Sequence, residues 1–212
     1  MKLTRRSAAL ALSGAVVVLA AGVMFAPQPA RAVQSGGPAP AFQAVDAAGR
    51  TRTLEDFAGK PVVLEWSNHQ CPYVRKHYET GNMQALQREA TAQGVVWLTV
   101  VSSAPGTEGY VTGAEAQRLT TARHAAPTDV LLDPTGALGR LYGARSTPHM
   151  FVISADRRVV YQGGIDDRNT TDHASVQGAR NYVREALTAL HEGRAPAVAA
   201  APSYGCSVKY AH

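Results

Sequence analysis

The chain has 212 residues, with 21 Lys and Arg against 16 Asp and Glu. Four of the basic residues (Lys2, Arg5, Arg6, Arg31) and none of the acidic ones fall in the first 32 positions. Residues 33–212 therefore carry 17 basic against 16 acidic side chains, with no electrostatic footprint for nucleic acid.

The start, MKLTRRSAALALSGAVVVLAAGVMF, is basic and then apolar from Ala8 to Phe25, and Ala30 and Ala32 have the small-residue spacing read by signal peptidase. This predicts an export signal over residues 1–32, cleaved after Ala32, with a periplasmic or secreted destination and no membrane contact after cleavage. The pair Arg5-Arg6 leaves the Sec and twin-arginine routes both open. A retained anchor is the alternative, but the apolar run is only marginally long enough to span a bilayer. The remaining residues, about 180, suit one domain. Its predicted extent is 33–193, followed by an Ala/Pro linker and a cysteine-containing tail over 194–212.

Residues 33–41 read as a flexible leader, and FQAVDAAGRTRTL as a hairpin turning at Ala48-Gly49. Pro61 to Trp66 is an apolar run of strand length, as expected of a buried central strand. Cys71 to about Gln93 reads as helix interrupted at Gly81, and Val95–Val101 as a second buried strand. Strand, helix and strand in that order make a βαβ unit with parallel pairing. Thr112 to Glu115 is a capping box opening a helix towards Arg123. A short strand over Asp129–Leu132 leads through DPTG into a helix ending near Gly143. Met150–Ser154 and Arg158–Gln162 form a hairpin around Asp156-Arg157. A final helix is predicted from about Ala174 to Glu192. The linker after it contains nothing apolar larger than Val198, which predicts loose packing.

This order, with a cysteine behind the first buried strand and Thr147-Pro148 before the later hairpin, resembles the thioredoxin fold: a central mixed β-sheet flanked by helices, with an N-terminal β-hairpin and an extended C-terminal tail. The segments NHQCPYVRKHY, GNMQALQ, VVWLTVVSSAPG, STPHMFVI, GGIDDR and GCSVKY resemble the peroxiredoxin-like (AhpC/TSA-type) branch of the redoxins, over residues 38 to 210. The resemblance implies an α/β thiol-based oxidoreductase with an antioxidant role, reducing a peroxide or a protein disulfide and served by a thiol reductant protein or small thiol. It puts Cys71 on the first active-site cysteine, Val74 where thioredoxin has its second, and Pro148 on the cis-proline facing that cysteine. Residue Thr147 then offers its backbone to an extended substrate strand. True peroxiredoxins carry Thr or Ser three residues before the cysteine and Pro seven before; here those positions are Asn68 and Leu64. Their peroxide-binding arginine falls where Pro148 lies.

A cysteine between a buried strand and a helix sits among unpaired N–H groups at the positive end of the dipole, which favours its thiolate. Arg75, one turn on, can add positive charge near the sulfur, and Asn68 can donate a hydrogen bond. Pro72, His69, Thr147 and Pro148 complete the expected substrate-side set, with His69 a candidate proton shuttle. Lys76 and His77 read as solvent or groove residues. With Val74 in place of a local partner, Cys206 is the only thiol that could resolve an oxidised Cys71. A static disulfide in an exported binding protein is the alternative role for this pair. Paired C-x-x-C and H-E-x-x-H motifs are missing, and a weak His149–Cys71 metal site is the remote third reading. No residue pattern calls for a cofactor, and the sequence leaves the oligomeric state open.

Overall fold

The computed structural model describes residues 33–211, so the expected export signal lies outside the described residues. Gln43–Asp46 (β1) turns at Gly49 into Thr51–Thr53 (β2). Asp46 Oδ1 fixes the turn by accepting from Ala48 and Arg50 N–H, each at 2.9 Å. Val62–Trp66 (β3) leads to Pro72–Glu79 (α1) and Asn82–Ala92 (α2), and these to Val96–Val101 (β4). The two helices part at Gly81, whose φ of 74° lies in the left-handed region that glycine enters without a Cβ clash. Next come Gly113–Ala122 (α3), Asp129–Leu132 (β5), Ala137–Tyr142 (α4), Ser146–Thr147 (β6), His149–Ile153 (β7), Val159–Gly163 (β8), Tyr182–His191 (α5) and Cys206–Ser207 (β9).

Seven strands form one mixed sheet in the order β2-β1-β5-β4-β3-β7-β8. Strand β4 runs parallel to both β3 and β5, as the βαβ reading requires, and the other neighbours are antiparallel. Because strand side chains alternate, β3 feeds two cores at once. Val62, Leu64 and Trp66 join Leu98, Val100, Phe151 and Tyr142 on one face. Val63 joins Trp97, Met150 and Val152 beneath α1, α2 and α5 on the other. Every residue of β3 is buried, so its C-terminal end, where Cys71 follows, is held from both sides.

Four expectations need correction. Residues 33–41 are not a loose leader: Val33 is buried, Ala39 N–H donates to Arg157 O at 2.8 Å and Val159 N–H to Gly37 O at 2.9 Å. The predicted helix from Ala174 is a 3-10 turn over His173–Val176 followed, after Gly178, by α5, which begins where Asn181 accepts from Arg184 N–H at 2.9 Å. The capping box at α3 is only half made. Thr112 accepts from Glu115 N–H at 3.3 Å, while the Glu115 carboxylate pairs with Arg118 instead of reaching back. The linker does not float. Ala199 O accepts from Gln162 N–H and Ala201 N–H donates to Gln162 O, both at 3.1 Å, so a single parallel bridge, Ala200 opposite Gln162, ties the linker to β8. Backbone pairing holds it, and a Cβ on Gly163 would collide with Ala201 O.

Candidate active site

The loop between β3 and α1 is shaped by Asn68. Its Oδ1 accepts from Gln70 N–H at 2.9 Å and its carbonyl from Cys71 N–H at 3.1 Å, while Nδ2 donates to Glu108 at 3.0 Å. The amide donor expected to serve a substrate is thus engaged by Glu108. Cys71 is the N-cap of α1 with Pro72 in the first helical position, where a missing N–H costs nothing. Its sulfur lies at the helix N-terminus, as expected, and is fully buried.

Across from it stands the cis bond Thr147-Pro148. Cys71 Sγ lies 3.2 Å from Thr147 O. The backbone edge of Thr147 is occupied by the chain's own tail: β6 pairs antiparallel with β9, Thr147 opposite Cys206 and Ser146 opposite Ser207. Cys206 is disulfide-bonded to Cys71 across 135 residues of sequence, with 6.0 Å between Cα atoms, inside the range a bridge spans without backbone movement. The strand comes so close that a Cβ on Gly205, whose φ is 120°, would strike Thr147 O.

The tail is anchored on both sides of the sulfur. On one side, Tyr204 is buried and its hydroxyl donates to Asp166 and lies 3.3 Å from His77 Nε2. Lys76 Nζ sits 5.4 Å from the centre of the Tyr204 ring and donates to Arg168 O at 2.8 Å. On the other side, Tyr210 lies against Gly136 and Gly139 and donates to Ala144 O at 2.7 Å, and Ala104 N–H donates to Lys209 O at 2.9 Å. Both Lys76 and His77 are fully buried. Reading them as solvent-facing fails because the tail covers that side of α1. Burial, with Lys76 adding repulsion, holds the His77 imidazole down to about 3, so it is neutral here; burial likewise lowers Lys76, against the pull of Asp166 and Asp172.

The structure disperses the other expected residues. Arg75 is more than half exposed and pairs with Glu79 at 2.7 Å, so its charge is offset where it stands. Half-buried His69 lines a cleft with Tyr78, Thr99 and Arg123, and burial, then Arg123, lowers its pKa. Pro72 is exposed at the rim and Pro148 is buried. Buried His149 accepts from Arg145 N–H at 3.3 Å, packs at a tilt against Phe151 and is held down to about 4 by burial. The Cys71 sulfur is bonded to Cys206. Among the described residues, no group of three His, Cys, Asp or Glu side chains is placed to hold a metal ion.

Sequence reasoning missed Tyr204 and Asp166, although both lie in or beside segments that carry the family resemblance. It also missed Glu65, a carboxylate inside the strand read as apolar. Glu65 accepts from Trp97 Nε1 and Tyr78 Oη at 2.8 Å, Gln87 Nε2 at 3.1 Å and Thr99 Oγ1 at 3.2 Å. Burial nonetheless raises its pKa, outweighing those four donors.

A buried strand, a helix-capping cysteine and a cis-proline loop against it define a thioredoxin-fold redoxin with a disulfide at its centre. Residues 35–162 match the AhpC/TSA family, and the chain belongs to that family. No curated protein matches it. Among solved structures, a hypothetical protein from Sinorhizobium meliloti is similar at TM-score 0.71 and 23% identity, over 85% of this chain and 97% of that one. A conserved protein from Geobacillus kaustophilus is similar at TM-score 0.71 and 24% identity, over 82% and 90%. These two establish the fold. A protein described as a thiol:disulfide interchange protein, DsbE, from Chlorobium tepidum aligns at TM-score 0.51 and 25% identity, over 62% and 85%.

Proposed function

We propose that this is an exported thiol-dependent oxidoreductase whose redox couple is Cys71 and Cys206. The observation that carries the reading is the position of their disulfide: one sulfur caps α1, and the other is delivered by a strand paired to Thr147 beside Pro148. The helix N-terminus stabilises a Cys71 thiolate and makes it a good leaving group. Cys206 is partly exposed where Cys71 is not. An external thiolate therefore attacks the Cys206 sulfur, forming a mixed disulfide and expelling the Cys71 thiolate. A second thiol of the reductant then releases Cys206 as a thiolate. The reduced protein passes its two electrons to a substrate disulfide when the Cys71 thiolate attacks one substrate sulfur and expels the other as a thiolate, and Cys206 then attacks the Cys71 sulfur, releasing the second substrate thiolate and re-forming the disulfide.

Family membership supports a second oxidant. A Cys71 thiolate attacks the terminal oxygen of a hydroperoxide, giving a sulfenic acid and an alkoxide that takes up a proton. Cys206 then displaces water from that sulfur and re-forms the disulfide. Asn68 and Arg75 are the candidates for assisting that step, and each must first leave its present partner, Glu108 or Glu79.

The deciding experiment equilibrates the mature protein in thiol–disulfide buffers of graded potential and follows the Cys71–Cys206 peptide pair by mass. A redox couple opens at a potential above about −300 mV; a permanent structural bridge stays closed until the potential falls below that value. Wild-type consumption of peroxide and of disulfide substrates in both Cys71→Ser and Cys206→Ser would sink the thiol mechanism and return the protein to the binding class.

A further inference from the structure

The groove beside Cys71 carries more than a backbone edge. The tail enters it with Tyr204, Gly205 and Cys206 in three distinct settings. Cys206 pairs with Thr147, and position 205 tolerates no Cβ. The Tyr204 ring lies 5.9 Å from that of Tyr73, with its hydroxyl between Asp166 and His77. None of these contacts depends on the segment belonging to the same chain. Cys71 is fully buried beneath it, so a macromolecular partner reaches the sulfur only where this segment has lifted. Once lifted, it leaves a pocket floored by buried polar groups. Asp166 Oδ1 and His77 Nε2 lose their shared hydroxyl, and Asp166 Oδ2 has no hydrogen-bond partner even with Tyr204 in place. An aliphatic or phenyl occupant leaves His77 Nε2 unpaired and Asp166 Oδ1 with only the Arg168 N–H, at 2.9 Å; a phenol restores the lost hydroxyl contact to both.

We propose that this groove is a docking site for an extended protein strand carrying Tyr-Gly-Cys, whose tyrosine fills the pocket of Asp166, His77 and Lys76 as its cysteine meets Cys71. The tail is then an internal copy of the partner's sequence, displaced in trans. This rests on the redox reading above and adds to it the chemistry of the protein substrate.

The test uses the full mature chain with Cys206→Ser, in which Cys71 is the sole thiol. Peptides Ser-Tyr-Gly-Cys-Ser-Val, with Phe or Ala for Tyr or Ala for Gly, are offered as mixed disulfides with thionitrobenzoate. Attack by Cys71 forms the protein–peptide disulfide, breaks the peptide–thionitrobenzoate disulfide and releases the coloured anion, whose appearance gives the rate. Rates are normalised to those with free glutathione. The Tyr peptide is expected to react about tenfold faster than the Phe peptide, the factor one hydrogen bond to a charged group is worth, and faster still than either Ala peptide. Adding Tyr204→Ala to the same chain removes the competing anchor and should speed the Tyr peptide while leaving the Phe-to-Ala order unchanged. Equal normalised rates for all four peptides in both variants overturn the docking inference alone. A Cys71 inert even to the small reagent 5,5′-dithiobis(2-nitrobenzoate) overturns the redox reading and the inference together.

Discussion

Cys206 is the antiparallel ladder partner of Thr147, and that pairing sets its sulfur against Cys71. In a thioredoxin-like C-x-x-C the second thiol comes from the next helical turn; here Val74 stands there, buried in the core. The chain supplies the missing thiol as a strand instead. The tail is tied down before it by Tyr204 and after it by Tyr210, so opening the disulfide need not release the thiol.

Gly205→Ala tests the closeness of that strand. A Cβ there collides with Thr147 O, and a φ of 120° is one that L residues avoid. Strain of this kind costs about 1–3 kcal/mol, which for a two-electron couple is about 20–60 mV. The disulfide of the variant should be easier to reduce by that amount in the graded buffers, with the fold intact by circular dichroism. A potential equal to wild type would show that β9 does not position the thiol.

Peroxide treatment separates the two cysteines. Reduced wild-type protein should form an intramolecular Cys71–Cys206 disulfide with little over-oxidation, because the second thiol is held within reach. Cys206→Ser should stop at a dimedone-trappable sulfenic acid and proceed to sulfinic acid with excess peroxide. Cys71→Ser should leave Cys206 largely unmodified, since Cys206 caps no helix. Equal sulfinic acid yields in wild type and Cys206→Ser would remove Cys206 from the mechanism.

Much of this site was legible because local rules governed it. A buried strand followed by Cys-Pro fixes a helix-capping thiol, and Gly81 and Asp156-Arg157 mark breaks where the backbone turns. What escaped was set by the tail. Ala199 to Ala201 bind through main-chain groups, which no hydrophobic period reveals. Once that tail covers α1, Lys76 and His77 exchange water for Tyr204, Asp166 and Arg168, so a pair of residues that reads as solvent or groove positions is interior beneath the tail. Glu65 was hidden differently. One carboxylate in an apolar strand is readable only when the four donors around it, from α1, α2 and β4, are known.

Glu65 should make stability fall as pH rises. Burial raises its pKa above the ordinary 4.5, so between 4.5 and the displaced value the folded protein binds more protons than the unfolded chain. Stability from this group is therefore complete below pH 4.5 and lost as pH climbs through the folded pKa. Glu65→Gln cannot ionise and should flatten that decline, as read from urea midpoints over the window just above 4.5. It should also be less stable below the window by about 1–3 kcal/mol, because an amide sets its own donors against Trp97 or Tyr78. Parallel pH profiles for the two proteins would exclude Glu65 as the titrating group.

His77 has the opposite sign and acts on the tail. Its imidazole is held down to about 3, against an ordinary 6.5, so between those values the unfolded or opened state binds the extra proton. The stability it contributes is complete above about pH 6.5 and is lost as pH falls towards 3. Each unit is worth about 1.4 kcal/mol, and local opening that rehydrates the ring costs less than unfolding the domain. Because the ring faces Tyr204, Asp166, Lys76 and Asn82, the cheapest opening is the lifting of residues 203–207. In the reduced protein, amide exchange in the peptide spanning 199–211 should quicken, relative to its intrinsic rate, as pH drops from 6.5 to 4, while exchange in β3 and β4 stays slow. His77→Gln keeps a partner for the Tyr204 hydroxyl but cannot titrate, so its tail exchange should show no such acceleration. An acid response in His77→Gln as steep as in wild type would assign the release to another group.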